Sequence, residues 1–223
     1  MPEKEPTPCN RLKVWHEKGV NFSTSCTRLV AWMCLSMVTF PLLSRSETES
    51  GIMQTPTPIR FDQPDASRQW VTVNDNVMGG RSIGDFKIKE GKLVFRGSTN
   101  TNGGGFSSIR SRPLERDMSA VAAFRVRCKG DGRTYLLSCR TKETYRGMQV
   151  AYRAPFETQA GKWVEIVVPM SAFKPSFRGM DLSRRAPKLK GADILSMGLM
   201  IYDKKDGPFD LEVEWIGFQD SAQ

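Results

Sequence analysis

The sequence offers few side chains that could carry out catalysis. Its only histidine is His16, which lies upstream of an uncharged hydrophobic run and outside the predicted folded domain. Ser-His-Asp and Cys-His mechanisms and histidine-based zinc sites therefore have no candidate in that domain. We expect a protein that binds rather than catalyses, with no catalytic residue and no metal ligand set.

Carboxylates are the remaining candidates for chemistry. Asp210, Glu212 and Glu214 alternate on one predicted strand, so they share a face with about 7 Å between successive members. Carboxyl groups at separations of that order act in glycoside hydrolases. A solvated strand face produces the same alternation, and we prefer that interpretation.

A second group of polar residues lies in residues 70–82, which read WVTVNDNVMGGRS. Asn74 and Asp75 can bond the backbone that follows them and end a strand. Met78 would act as a flexible apolar plug, and Gly79 and Gly80 permit positive φ and close backbone approach. Two interpretations are open: a ligand-lining loop with exposed amides, or a buried staple between two sheets, which we favour.

Cys128 and Cys139 are the two cysteines of the predicted domain. They lie in consecutive strand-like runs on either side of a Gly-Asp-Gly turn. In a simple hairpin about that turn they would be offset by several residues, beyond the ~7 Å between Cα atoms that a disulfide tolerates. We therefore predict two buried free thiols.

The elements that must position these residues are β-strands. Phe209, Leu211, Val213 and Trp215 alternate with acidic residues, which predicts one strand with a single buried face. Similar alternation recurs after residue 61, with turns marked by glycine and proline. No stretch keeps a helical period for three turns, and residues 181–192 are at most a loop with one helical turn. This pattern is typical of an all-β sandwich or barrel.

The charge of the chain, +9, is unevenly distributed. From residue 61 onward there are 26 Lys and Arg against 19 Asp and Glu, a net +7. A positive domain can attract nucleic acid, anionic lipid or an acidic protein. Most basic residues here are scattered along strands and turns, and no zinc-finger or RNA-recognition signature is present. We interpret them as solvated surface and expect no nucleic-acid partner.

The front of the chain contains an uncharged run, residues 29–44, preceded by Arg28. It is short for a membrane span, which needs ~20 apolar residues, and fits the hydrophobic region of an export signal. An uncleaved signal anchor is an alternative, and a mitochondrial presequence is disfavoured by Glu3, Glu5 and Glu17. We expect an export-signal-like or signal-anchor segment over 1–46, a linker over 47–60 and one domain over 61–220, exported or membrane-anchored.

Several segments of that domain resemble one known family in order along the chain. They are WVTVNDNVMGGRS (70–82), FRG (95–97), NGGGFSS (102–108), GDGR with Tyr135 (130–135), PSFRG (175–179) and GPFDLEVEWI (207–216), with Tyr152, Phe156, Trp163, Pro169 and Phe173 at suitable intervals. Together they closely resemble the complex I intermediate-associated protein 30 family.

That resemblance implies a fold, a role and a set of residues. The fold is a galactose-binding-like jelly-roll β-sandwich. The role is that of an assembly factor for respiratory complex I, a non-catalytic, chaperone-like protein with a membrane-associated respiratory or envelope protein as partner. The candidate binding residues carried by the motifs are Trp70, Asn74, Asp75, Met78, Gly79, Gly80, Ser82, Gly103, Gly104, Phe106, Asp131, Tyr135, Tyr152, Trp163, Phe177, Arg178 and Gly179.

Carbohydrate binding on the same scaffold is the alternative function. Jelly-roll domains often bind sugars through exposed aromatic rings, and the candidates here are Trp70, Tyr145, Tyr152 and Trp163. In that case Asp75 or Asp131 would supply oxygen ligands for a structural calcium ion. Most of these rings occupy alternating strand positions, so core packing is favoured for each, and their exposure is the discriminating observation.

Overall fold

Two antiparallel β-sheets packed face to face make up residues 56–220, the part of the chain that the computed structural model describes. The six-stranded sheet contains β1 (Ile59–Arg60), β3 (Ile83–Lys89), β4 (Lys92–Thr99), β6 (Val121–Lys129), β9 (Trp163–Pro169) and β13 (Gly207–Asp220). The seven-stranded sheet contains β2 (Trp70–Asn74), β5 (Ser107–Ser111), β7 (Thr134–Tyr145), β8 (Met148–Glu157), β10 (Lys174–Phe177), β11 (Met180–Asp181) and β12 (Ile194–Ile201). The predicted fold class, an all-β jelly-roll sandwich, is confirmed.

The strand order follows from turns and crossovers. In the six-stranded sheet the order is β3-β4-β13-β6-β9, with β1 also paired to β13, and in the other sheet it is β11-β10-β8-β7-β12-β5-β2. β3 and β4 form a hairpin with a two-residue loop, Glu90 and Gly91, at φ 52° and 70°. Positive φ at both positions matches the twist of the flanking strands.

The core lies between the inner faces of the two sheets. Phe95, Phe124 and Leu211 of the six-stranded sheet are fully buried, as are Leu137 and Leu199 of the seven-stranded sheet. Because strand side chains alternate between faces, the neighbours of these residues point outward. Those outward positions carry the acidic row of β13 and the basic residues of both sheets, whereas Asp75, Asp131, Arg133 and Asp203 lie in the connections between strands.

The alternation predicted for β13 is correct up to Val213 and wrong after it. A β-bulge shifts the pairing of β13 with β6 between Val213 and Trp215. One extra residue exchanges the two faces of a strand. Trp215 is therefore half-buried, whereas Ile216 and Phe218 enter the core.

β6 and β7 do not form the hairpin that their spacing suggested, because they belong to different sheets. The Gly-Asp-Gly segment between them is a crossover from one sheet to the other. Cys128 and Cys139 are nevertheless free and buried, so the prediction of two buried thiols is confirmed. Burial raises the pKa of the Cys128 thiol to about 12, which leaves it protonated and unreactive at neutral pH.

The sandwich begins slightly earlier than predicted. β1 lies within the segment assigned to the linker, and its Ile59 is buried and pairs with Ile216 of β13. Within residues 56–220 the helical elements are short 3-10 turns of three or four residues, one of them at Gly191–Asp193. None of the helices in that part of the chain is long and apolar enough to cross a membrane. The predicted export segment, residues 1–46, lies outside the described residues.

Candidate functional site

A buried carboxylate ties together two loops that cross between the sheets. Asp75, in the 3-10 turn after β2, is fully buried. Its Oδ1 accepts a hydrogen bond from the Ser82 amide at 2.8 Å, and its Oδ2 accepts one from the Ser82 hydroxyl at 2.6 Å. Oδ2 also accepts from the amides of Gly105 at 2.6 Å and Phe106 at 3.2 Å. The interpretation of this motif as a staple is thus confirmed for Asp75.

The environment of Asp75 keeps its carboxyl group ionised. Burial acts to raise the pKa, but the hydrogen bonds from Ser82, Gly105 and Phe106 outweigh it, so the pKa lies below its ordinary value of 3.8. Two glycines leave room for this arrangement, since a Cβ on Gly80 or Gly104 would overlap the Asp75 carboxyl group.

Two side chains of the same motif differ from their predicted roles. Asn74 does not bond the backbone of the residues directly after it. Its Nδ2 donates to the carbonyl of Gly84, ten residues later, at 2.9 Å, and its Oδ1 accepts from the Ser107 hydroxyl at 2.6 Å. Met78 is not a plug, because it is 56% exposed. The turn that contains Met78 ends at Gly79, whose φ of 88° is the left-handed conformation common at such ends.

A second network surrounds the crossover between β6 and β7. The Arg133 guanidinium donates to both carboxylate oxygens of Asp203, at 2.9 Å from Nε and 2.6 Å from Nη2. It also donates to three backbone carbonyls of the segment leading into β13, those of Lys205, Gly207 and Pro208. Arg133 therefore fixes the start of β13, the long central strand of the six-stranded sheet.

Asp131 supports this network from the same crossover. Its carboxylate accepts hydrogen bonds from the Arg133 amide at 3.0 Å, the Tyr135 hydroxyl at 3.1 Å and the Asp210 amide at 2.9 Å. Burial, followed by the neighbouring Asp131 charge, raises the pKa of Tyr135, so its hydroxyl stays a donor. The residues of the GDGR motif thus hold the backbone at the start of β13 in place.

The two carboxylates considered for calcium already have hydrogen-bond donors. Asp75 accepts four hydrogen bonds and Asp131 accepts three, all from protein groups. Calcium requires six to eight oxygen ligands, which these surroundings of N–H and O–H donors do not resemble. Among residues 56–220 there is no group of three or more His, Cys, Asp or Glu that could hold a metal.

The four candidate rings for a sugar platform are mostly internal. Trp70 and Tyr152 are 5% and 1% exposed, so their assignment to an exposed platform is wrong and core packing is confirmed. Tyr145 is half-buried and packs edge-on against Phe177 at 5.4 Å between ring centroids. Trp163 lines a groove of about 750 Å³ on the outer face of the six-stranded sheet. Trp70 borders a second groove, of about 640 Å³, but its ring is almost entirely buried.

The acidic row of β13 is paired with basic side chains on that same outer face. Arg96 contacts Asp210 at 2.7 Å and Glu212 at 3.3 Å. Lys129 also contacts Glu212, at 3.1 Å, and Arg127 lies 3.7 Å from Glu214. These contacts fit the interpretation of the row as a solvated, charge-paired strand face.

Sequence comparison identifies the family of this chain. A family model described as Complex I intermediate-associated protein 30 matches residues 59–213, which includes nearly all of the sandwich. This chain belongs to that family. Its mitochondrial relative from Mus musculus is 27% identical over 184 residues, which cover 73% of this chain and 56% of the relative. The Drosophila melanogaster relative is 24% identical over 188 residues, covering 74% and 63%. The chain thus spans less than two thirds of either relative.

Solved structures with a similar fold are carbohydrate-binding modules. The family 11 module of a Clostridium thermocellum cellulosomal cellulase superposes with a TM-score of 0.55 at 13% identity, covering 75% of this chain and 97% of the module. The same module in complex with a mixed-linked tetrasaccharide gives 0.54 at 13% identity, covering 73% and 96%. At this identity the likeness shows the β-sandwich fold alone.

The structure distributes the motif residues of the complex I intermediate-associated protein 30 family over three places. Asp75, Gly80, Ser82 and Gly104 belong to the staple, with Gly103 beside the Gly79 carbonyl. Asp131 and Tyr135 belong to the crossover network. Phe177 ends β10, where it is half-buried and packs against Tyr145. Arg178 and Gly179 form the exposed turn to β11, with φ of 47° and 82°. The motifs therefore mainly maintain the fold.

Sequence reasoning missed three arginines that the structure brings together on the outer face of the seven-stranded sheet. Arg110, Arg140 and Arg153 lie on β5, β7 and β8, and none of them forms an ion pair within residues 56–220. Each one alternates with buried neighbours, as a solvated charge on a strand would. The pairing register of four strands, which no local pattern reveals, is what places them together.

Proposed function

We propose that this protein is a non-catalytic protein-binding module that associates with an assembly intermediate of respiratory complex I. The observation that carries the proposal is a set of three exposed apolar side chains close together in sequence, Val77 and Met78 in the turn after β2 and Ile83 at the start of β3, which we call the apolar patch. These side chains are 70%, 56% and 74% exposed. Large apolar side chains held outward in water are typical of protein interaction sites.

The patch is supported by rigid structure beneath it. Asp75 comes just before Val77 and Met78, and Ser82 comes just before Ile83. The two are hydrogen-bonded to each other, and Asp75 also binds the loop before β5. A preordered loop loses little conformational entropy on binding. The staple therefore has a second consequence: it presents the patch in a fixed conformation.

Membership in the family supports complex I intermediates as the partner. The mouse and fly relatives are named as mitochondrial proteins associated with complex I intermediates. A member that shares their sandwich is expected to share that partner, and its role requires binding without chemistry. The paired acidic row and the absence of a histidine after His16 agree with a non-catalytic protein.

Affinity capture tests this function. The tagged full chain should recover complex I subunits from detergent-solubilised mitochondria, and the triple variant Val77→Ser, Met78→Ser, Ile83→Ser should recover much less. The matched control changes three other exposed apolar residues, Met148→Ser, Val167→Ser and Met180→Ser. Failure of the wild-type chain to recover complex I subunits, or equal losses in both variants, would refute the proposal.

Mitochondrial location is part of the same proposal. The relatives' mitochondrial assignment supports it over the export predicted from residues 1–46. The full chain fused at its C-terminus to a fluorescent protein should overlap a mitochondrial marker. Secretion of the fusion, or its retention at the cell surface, would instead support the export prediction.

Carbohydrate binding is the second candidate function, and Trp163 is the observation that favours it. Its half-buried ring lines the 750 Å³ groove of the six-stranded sheet. Lys92, Arg127 and Lys129 lie 5.5 to 6.0 Å from the centre of that ring, which reduces the area open to a sugar. Titration with a mixed-linked β-glucan oligosaccharide, comparing wild type with Trp163→Ala, decides whether the groove binds sugar.

A further inference from the structure

Three arginines surround a low floor on the outer face of the seven-stranded sheet. Arg110 pairs with Gly198, which pairs on its other side with Ser138, and Ser138 pairs with Arg153. Directly paired residues point to the same face of a sheet, so these four form one row across β5, β12, β7 and β8. Arg140 lies two residues from Ser138 along β7, on the same face.

The floor of this row is low because its two central residues are small. Gly198 has no side chain, and a Cβ there would overlap the Ile109 carbonyl oxygen and approach the Ser138 hydroxyl at 3.1 Å. With strands about 4.8 Å apart, the backbones of Arg110 and Arg153 are separated by roughly 14 Å. A shallow depression bounded by arginines is the result, and we call it the arginine cradle.

The cradle lacks internal counter-charges. The Nε of Arg153 is buried and has no hydrogen-bond partner within residues 56–220. The only hydrogen bond of the Arg140 side chain in that part of the chain is a 3.4 Å contact from Nη1 to the Gln149 carbonyl. The ion pairs of the described residues, all on or beside other surfaces, include none of the three.

The three guanidinium groups are also close enough to destabilise one another's charge. Burial, then repulsion by Arg140 and Arg153, lowers the pKa of Arg110 to about 10. Burial and repulsion by Arg140 likewise lower the pKa of Arg153. All three remain cationic at neutral pH, so the folded protein keeps three partly desolvated positive charges with no acid against them. Partly buried charges are ordinarily paired, and a cluster of perturbed, unpaired charges marks a candidate binding site.

We propose that the arginine cradle binds the phosphate group of a small molecule, either inorganic phosphate or a phosphate monoester. Planar guanidinium groups present parallel N–H donors that match the oxygens of phosphate, which lysine does not. Three mutually repelling cations favour a compact dianion over a carboxylate with one charge. The buried Nε of Arg153 gains the acceptor that the protein does not provide.

A ring at the edge of the cradle provides contact for an organic group on the phosphate. Tyr202 follows β12, is 36% exposed and packs edge-on against Phe106 at 6.3 Å. Its phenol lies close enough to Arg153 to act on the pKa of that guanidinium, which it raises against the lowering by burial. A phosphate monoester can thus place its phosphate among the arginines and its carbon framework against this ring.

Calorimetric titration of the full chain tests the proposal at constant ionic strength. The probes are inorganic phosphate, glucose 6-phosphate and, as controls, glucose and sodium chloride. We expect the wild-type chain to bind both phosphates and neither control. The variant Arg110→Gln, Arg153→Gln should bind them at least about tenfold more weakly, because two charge-assisted contacts are lost. Tighter binding of glucose 6-phosphate than of phosphate identifies a monoester as the ligand, and equal binding identifies the free anion.

A variant of equal charge on the other sheet provides the matched control. Arg125→Gln, Arg127→Gln also removes two positive charges, but from residues that are paired with Glu165 and Glu214. Its affinity for phosphate should stay within about twofold of wild type, since screened charges at a distance add little. Equal weakening in both variants would show that net charge alone explains the loss of affinity, and it would overturn the proposal. Binding to an RNA oligonucleotide or to anionic vesicles without binding to either phosphate would also overturn it.

Discussion

Asp75, which is fully buried, and Arg133, whose side chain is 12% exposed, have several hydrogen-bond partners each. The side chains of the partly buried Arg110, Arg140 and Arg153 have almost none. The first two lie where the chain crosses between the sheets, and each one fixes loops that are distant in sequence. The arginine cradle lies across the middle of one sheet, where the backbone is already held by strand pairing.

This difference separates charges that maintain the fold from charges that serve a ligand. A desolvated charge contributes to stability only when partners replace its lost hydration, and otherwise it costs stability. The crossover networks satisfy that condition within the chain. The cradle would satisfy it only with a bound anion. Removing a charge should therefore have opposite effects on stability in the two regions.

The largest effect is expected from Arg133→Met. The variant leaves Asp203, whose side chain is 6% exposed, without its cation, and it also removes one donor from each of three backbone carbonyls. Breaking a buried ion pair by removing one partner typically costs about 3–5 kcal/mol. Urea unfolding monitored by circular dichroism measures the loss. A cost below about 1 kcal/mol would contradict the role assigned to Arg133.

Asp75→Asn should follow, with a loss of about 2–3 kcal/mol in the free energy of unfolding. The amide nitrogen of asparagine would face N–H or O–H donors, and the charge that they stabilise would be gone. Asp62→Asn, at an exposed position, is the control and should change stability little. Equal stability of the two variants would show that the staple is unimportant.

The pH dependence of unfolding gives an independent test of Asp75. Its folded-state pKa is lowered from 3.8, so its contribution to stability is fully present above that pH. The contribution is lost as the pH falls through the folded-state value. Between pH 5 and the acid transition, the stability of Asp75→Asn should therefore decline less steeply than that of wild type. Parallel curves would contradict a carboxylate that is ionised in the folded state.

Arg153→Met should have the opposite sign and raise stability by about 1 kcal/mol. Methionine retains much of the apolar stem of arginine and removes a buried donor that lacks a partner. Thermal unfolding in chloride buffer measures the gain, and saturating phosphate should abolish it by stabilising only the wild type. A loss of stability in chloride would mean that Arg153 has a structural role.

The smallest effect is expected on the outer face of the six-stranded sheet. Arg96→Gln removes the ion pairs with Asp210 and Glu212, and the Arg96 side chain is 57% exposed. Solvent screening limits such pairs to about 0–1 kcal/mol. Raising the salt concentration should remove the remaining difference between variant and wild type. A larger, salt-independent loss would place these pairs with the crossover networks.

The local pattern of the chain was sufficient to predict the all-β fold, the family and the staple. Alternation in β13 up to Val213 and the Glu90–Gly91 turn are properties of neighbouring residues, so sequence reveals them directly. The bulge after Val213 and the assignment of β6 and β7 to different sheets were not predicted. Both depend on how a strand fits its partners in three dimensions, which neighbouring residues do not encode.

The candidate site shows the same division. The sequence by itself determined which residue types were present and that most strands have one charged face. Only the tertiary structure decided that acidic residues on β13 meet basic partners, while Arg110, Arg140 and Arg153 meet one another. The physical reason is register: a charge is paired or unpaired according to the residue opposite it on the next strand, and that residue is distant in the sequence.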